Sequence, residues 1–227
     1  MEKLLYLLRD DAERPGAELR RALLEGAAPA LRAAGARDVV VNVQDEHTAA
    51  GTPIRKEGPP VRAMVTFWMQ TADDRAPCEA ALRAAAARID GYVVSEARPL
   101  VHATNPGGRT AGMNQVTCIA RRPGLADEEF FRIWHGDHRA VAVETQSTTG
   151  YVRNVVAFRL TPDAKPFDAI VEETFPIEAL TDPHVFYDAV GDEAKFRANL
   201  DRMMKSCERF LDFAPMECTH MSEYVLG

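Results

Sequence analysis

Two stretches of roughly a hundred residues each run strand, helix, strand, strand, helix, strand, with a linker rich in Gly, Pro, Asn and Thr between them. This element order predicts an α+β fold. A four-stranded unit of this kind also leaves one apolar sheet face bare, which a second copy can cover. The expected architecture is therefore two tandem ferredoxin-like βαββαβ repeats packed sheet-to-sheet, closing toward a pseudo-dimeric α+β barrel in one chain. The first repeat spans 1–103, the linker 104–112 and the second repeat 113–227.

The first half opens with KLLYLLR, a short apolar strand. AELRRALLEGAAPALRAAG follows, with Ala and Leu at three- and four-residue spacing; it is helical, stops at Gly35 and is kinked or broken near Pro29. DVVVNVQ is a β-branched strand. A turn-rich loop with Gly51, Pro53, Gly58, Pro59 and Pro60 leads to the strand VRAMVTFWM. CEAALRAAAARI is a second Ala-rich helix, and GYVVSEARPLV closes the half as a strand.

After ATNPGGRTAG the order returns. NQVTCIAR is a strand. ADEEFFRIWHGDHRAVAVE is a helix with acids in its first turn, where the dipole favours them. GYVRNVVAFRL and FDAIVEETF are strands, PHVFYDAV a short helical turn, EAKFRANLDRMMKSCERFL a helix, and the tail ending in MSEYVLG the last strand. DVVVNVQ lies over YVRNVVA, and each follows a helix with a glycine at a comparable place.

Composition narrows the function classes. Apolar residues at 46% supply a real core, and a net charge of −7 without a Lys/Arg-rich face argues against nucleic acid. The start lacks the pattern of a signal peptide, and no apolar run spans a bilayer. The four cysteines are scattered without a CxxC pair, so neither a disulfide framework nor a cysteine zinc site is expected. A reduced, cytoplasmic protein without a membrane partner is the expectation. The sequence has no GxGxxG, P-loop, HExxH or GxSxG, which removes the common nucleotide, zinc-protease and α/β-hydrolase classes.

The most unusual segment is EEFFRIWHGDHRAVAVE, Glu128 to Glu144. On an α-helix, Phe130, Ile133, Trp134, Asp137, Ala140 and Val141 form one stripe, with Phe131, His135 and His138 beside it. The buried seam thus carries aromatic rings and an imidazole along its border. Trp134 is followed four residues later by His138, and Tyr151 and Asn154 open the next strand. In these residues the second half, from about Asn114 onward, resembles the EthD family, a branch of the dimeric α+β barrel superfamily. The first half matches by architecture alone, since its helix has no histidine.

The resemblance implies a small-molecule substrate held in a pocket between sheet and helices, and it allows a homodimer. It suggests a cofactor-independent acid/base enzyme, of isomerase, cyclase or lyase type, acting on a small aromatic, lactone or polyketide-like catabolic intermediate. The alternative is a non-catalytic binding protein for a hydrophobic molecule or haem. His138 and Tyr151 are the candidate catalytic residues, as acid/base and oxyanion donor. Trp134, His135, Asn154 and Trp68 are the candidate substrate-binding residues. Tyr151 and Asn154, three apart on a strand, should face opposite sides unless a bulge intervenes. No metal is expected: His135 and His138 share a helix, but no third ligand is marked by spacing, and convergence of His102 and His220 would be needed to supply one. Glu172 and Glu173 break their strand's alternation and read as structural or solvated, with at most one pointing inward. MMKSC, together with Phe196 and Phe210, reads as core-facing helix.

Overall fold

The computed structural model describes residues 1–54 and 58–227. The expected loop from Gly51 to Pro60 includes residues 55–57, which lie outside the described residues. The first half runs β1 (Glu2–Arg9), α1 (Gly16–Arg21), a π-helical stretch (Ala22–Ala27), α2 (Ala28–Ala33), β2 (Arg37–Val43), β3 (Val61–Met69), α3 (Ala76–Ala85) and β4 (Arg88–Leu100). The second runs β5 (Met113–Arg121), α4 (Asp127–Phe131), another π-helical stretch (Arg132–His138), α5 (Arg139–Thr145), β6 (Gly150–Arg159), β7 (Ala169–Phe175), α6 (Pro183–Phe186), α7 (Glu193–Cys207) and β8 (Leu211–Val225). Among the described residues, no helix is long and apolar enough to cross a membrane.

The eight strands form one closed antiparallel barrel in the order β1-β3-β2-β8-β5-β7-β6-β4. Each half contributes four adjacent strands. The halves join edge to edge, through β2 against β8 (Val40 opposite Val225) and β4 against β6 (Val94 opposite Val156). This differs from two sheets stacked face to face. Edge pairing satisfies backbone groups that stacked sheets would leave open, and the strand twist then curls the sheet into a closed wall.

Strand alternation splits β1 between two cores. Leu5 and Leu7 point into the barrel, where they meet Val116, Ile170 and Met221 of the second half. Leu4, Tyr6 and Leu8 point outward beneath Leu19, Leu23 and Leu31 of the first half's helices. KLLYLLR is apolar on both faces because both faces are covered. The barrel also encloses charge: Arg9 is 2% exposed and bonds Asp90 at 2.6 Å and Glu217 at 2.9 Å, and Lys165 reaches the same Glu217. One buried guanidinium thus ties together β1, β4 and β8.

Several boundaries move. Arg88 and Ile89 begin β4 instead of ending a helix, and Phe210 lies in the turn after α7, not on it. The last strand starts at Leu211, well before MSEYVLG. Pro29 does not break its helix: the chain stays helical from Gly16 to Ala33, and the proline follows directly on the π-helical stretch Ala22–Ala27, where the regular α hydrogen-bond ladder is already interrupted. The linker lies along β8, with Gly107 and Thr110 donating to the carbonyls of Val225 and Glu223.

Candidate functional site

The π-helical stretch Arg132–His138 decides which side chains the second half presents to its sheet. On a regular α-helix the seam would pass through Asp137, Ala140 and Val141. The wider π turn carries one extra residue, and the buried positions become Phe130, Ile133, Trp134, His138, Ala142 and Thr145. Asp137 and Ala140 are exposed and Val141 half-buried. Asp137 instead takes ion pairs from Arg132 and Arg209 on the surface. The first half's helix bulges at the corresponding place, over Ala22–Ala27, and both bulges contain a glycine, Gly26 and Gly136.

Between this helix, α7 and the outer face of the barrel lies a cavity of about 210 Å³. Its floor comes from outward-facing strand residues, among them Gln115, Tyr151 and Glu173. Its roof comes from Trp134 and His138, and from Met203 and Cys207 of α7. Phe186, Tyr187 and Phe210 close the sides, so most of the wall is aromatic or sulfur-containing. Among the described residues, no Lys or Arg lines the cavity.

Three polar arrangements stand in this apolar wall. The indole Nε1 of Trp134 donates to the phenolic oxygen of Tyr151 at 2.8 Å, and burial pushes the Tyr151 phenol above its ordinary range. His138 packs its ring on Phe210 with centroids 4.7 Å apart, and its Nδ1 meets Ser206 Oγ at 2.9 Å. Burial, with Arg209 nearby, lowers the His138 pKa to about 4, so the imidazole is neutral at pH 7. Among the described residues Glu173 is the only acidic one in the lining, and its side-chain partner there is a long contact of 3.5 Å from Gln115 Nε2. Burial raises its pKa to about 7, against the small lowering effect of that amide.

Trp134, His138 and Tyr151 are thus brought together. The other nominated residues are not. His135 packs on Trp134 and Phe131 at 4.6 and 5.1 Å, outside the cavity lining, and burial with Arg153 nearby lowers its pKa to about 4. Asn154 points into the barrel, as the alternation requires, where it accepts from Lys3 Nζ at 2.8 Å and donates to Glu172 Oε1 at 2.9 Å. Trp68 lines a separate cavity at one end of the barrel, beside Lys3, Glu96, Arg98 and Glu172. His102 stands beside Gly150, while His220 stands beside Gly51 and Leu180. Among the described residues, no group of three or more His, Cys, Asp or Glu side chains is placed to hold a metal ion.

Glu173 is the residue that sequence reasoning set aside. Its signal was the pair Glu172–Glu173 in an otherwise apolar strand. On a barrel strand both faces are covered, so alternation sends Glu172 into the barrel and Glu173 into the cavity. The MMKSC segment likewise gives more than core. Met203 and Cys207 line the cavity and Ser206 holds His138. Gln146, just past α5, also lines it and carried no signal at all.

The EthD domain family matches residues 122–214. No curated protein matches the chain. Solved structures match over nearly its whole length at low identity. An anthrone oxidase-like protein has 9% identity and a TM-score of 0.58, covering 100% of this chain and 93% of its own. A monooxygenase-like protein from Lactobacillus acidophilus has 10% identity and a TM-score of 0.51, covering 100% and 96%. A variant of DypB from Rhodococcus jostii, in complex with haem, has 13% identity and a TM-score of 0.50, covering 97% and 93%. At such identities the likeness is one of fold. Residues 122–214, the stretch that holds the π-helical turn and most of the cavity, match the EthD domain family, and the whole chain has the fold of the dimeric α+β barrels.

Proposed function

We propose that the chain is an enzyme that moves a proton on a small, neutral, largely apolar molecule, without a cofactor. The proton leaves a carbon next to a carbonyl and returns elsewhere, giving isomerisation, cyclisation or elimination. The supporting observation is the Glu173 carboxyl, which burial in an apolar cavity holds at about 7. A general acid/base works best when its pKa lies near the working pH, and such a group contributes roughly a hundred- to ten-thousand-fold in rate.

This reading moves the acid/base role from His138 to Glu173. An imidazole whose conjugate acid has a pKa of about 4 is a poor proton acceptor at pH 7. We assign Ser206 as the donor to Nδ1, the tautomer in which Nε2 of His138 carries the proton and serves as a neutral donor. The Tyr151 oxygen is occupied by the indole N–H, so its own O–H is left to steady an oxygen as charge develops. We also read the two halves as copies of one βαββαβ unit, of which only the second kept a cavity chemistry.

Haem, the ligand of the alternative reading, fits these residues poorly. Among the described residues the cavity offers no cationic side chain for propionates, and it already holds a carboxyl of its own. The remaining alternative, a carrier for a hydrophobic molecule, predicts binding without turnover.

Hydrogen–deuterium exchange at the α-carbon of 2-tetralone, followed by NMR in D₂O, separates the two. Wild-type protein should speed exchange well beyond buffer, and Glu173→Gln should abolish the gain while still binding the ketone. Binding without any acceleration by the wild type selects the carrier.

A further inference from the structure

Gln146 lines the same cavity and is 8% exposed, yet among the described residues its enclosed side-chain oxygen has no hydrogen-bond partner. A buried amide in an aromatic and thioether wall is costly when unpaired, because it has lost water and gained nothing in exchange. Most other polar groups of the described wall have a protein partner: Trp134 with Tyr151, His138 with Ser206, Gln115 with Glu173 and Thr117 with Cys218, while the half-buried Tyr187 phenol stands without one among the described residues. Among the described lining residues, Gln146 is the one with a fully enclosed side-chain polar atom left unpaired. It follows the last residue of α5, and the next backbone N–H, that of Ser147, is held by the Phe186 carbonyl at 3.0 Å. The amide is therefore anchored at its base while uncommitted at its end.

We infer that Gln146 is a specificity-determining residue that reads a hydroxyl group on the ligand, so that the substrate class is a neutral hydroxyarene or enol. This rests on the reading of the cavity as a substrate site and adds the chemical class it takes. A hydroxyl both donates and accepts, so it satisfies the amide whichever way the oxygen and nitrogen are turned. A carboxylate is disfavoured because Glu173 already places a carboxyl in the cavity and no Lys or Arg among the described residues lines it. The flat aromatic wall and the thioether of Met203 suit a planar ring. Rejection of ligands that lack the hydroxyl follows from the same physics. They would leave the amide unpaired in the bound state, and sites built to bond a substrate hydroxyl discriminate strongly for that reason.

The test uses the near-isosteric pair 4-ethylphenol and 4-ethyltoluene at pH 6, where Glu173 with its pKa of about 7 is mostly protonated. Dissociation constants are read from ¹H–¹⁵N chemical-shift titrations of the full chain. The wild type should prefer the phenol by about tenfold, although the hydrocarbon is the more apolar molecule. In Gln146→Leu the preference should invert in favour of 4-ethyltoluene, and in Glu173→Gln it should persist. A wild type that prefers the hydrocarbon overturns the assignment. So does a preference lost in Glu173→Gln and kept in Gln146→Leu, since the carboxyl would then be the reader, leaving the proton-transfer reading intact. Binding of neither molecule overturns both readings.

Discussion

The indole N–H of Trp134 and the phenolic oxygen of Tyr151 lie 2.8 Å apart, joining the π-helical stretch to the first turn of β6 inside the second half's core. Both side chains are almost wholly buried, at 1% and 2% exposure. Tyr151→Phe would leave the indole N–H in an apolar core without an acceptor. We expect a loss of about 1–3 kcal/mol, the desolvation cost of one unpaired donor, read from urea unfolding. Trp134→Phe should cost more, because the smaller ring leaves a cavity at a fully buried position beside Phe130 and His135. A Tyr151→Phe variant as stable as the parent would show that the bond adds nothing.

Glu173 links stability to pH. Its folded pKa of about 7 lies above the ordinary carboxyl value of 4.5, so the folded state holds its proton more tightly than the unfolded chain. The resulting stability is fully present below pH 4.5 and is lost as pH rises through 7. Glu173→Gln removes that dependence. Relative to the parent, the variant should gain on the order of 2 kcal/mol between pH 5 and pH 8. Parallel stability curves across that range would place Glu173 in water.

His138 carries the opposite sign. Its folded pKa of about 4 lies below the ordinary 6.5, so its contribution is present above pH 6.5 and is lost as pH falls toward 4. His138→Gln should flatten the acid limb of the stability curve. His138→Ala should cost about 1–3 kcal/mol, because it empties space against Phe210 and leaves Ser206 without its ring partner. In the exchange assay both variants should retain more activity than Glu173→Gln, and equal loss in all three would return the acid/base role to His138.

Arg9 tests whether the two halves share one core. Its guanidinium bonds Asp90 within the first half and Glu217 in the second, all three nearly inaccessible to water. Arg9→Met leaves two buried carboxylates, one of them with only Lys165 to meet it, and should cost roughly 3–5 kcal/mol. Unfolding should remain a single transition for parent and variant, since β2–β8 and β4–β6 pairing joins the halves. Two separated transitions would show halves that fold independently.

Much of this was legible in the sequence. The order βαββαβ, repeated across a Gly-rich linker, is local information, carried by apolar spacing, turn residues and β-branched runs. The EthD likeness rested on Trp134, His138, Tyr151 and Asn154; the structure gathers the first three at one cavity and turns Asn154 into the barrel. Three-residue spacing on a strand also separated Tyr151 from Asn154 correctly, because alternation is a property of the backbone. The rest depended on tertiary context. Whether the sheets stack or join at their edges is set by β2–β8 and β4–β6 pairing, between strands more than fifty residues apart. The seam of the Trp134 helix depends on a π turn, and an α period puts Asp137 where His138 belongs. The chemical difference between Glu172 and Glu173 is not written in either residue. It arises because a barrel wall has two covered faces, one lined by Lys3 and three asparagines, the other by aromatic rings that burial leaves without a counter-charge.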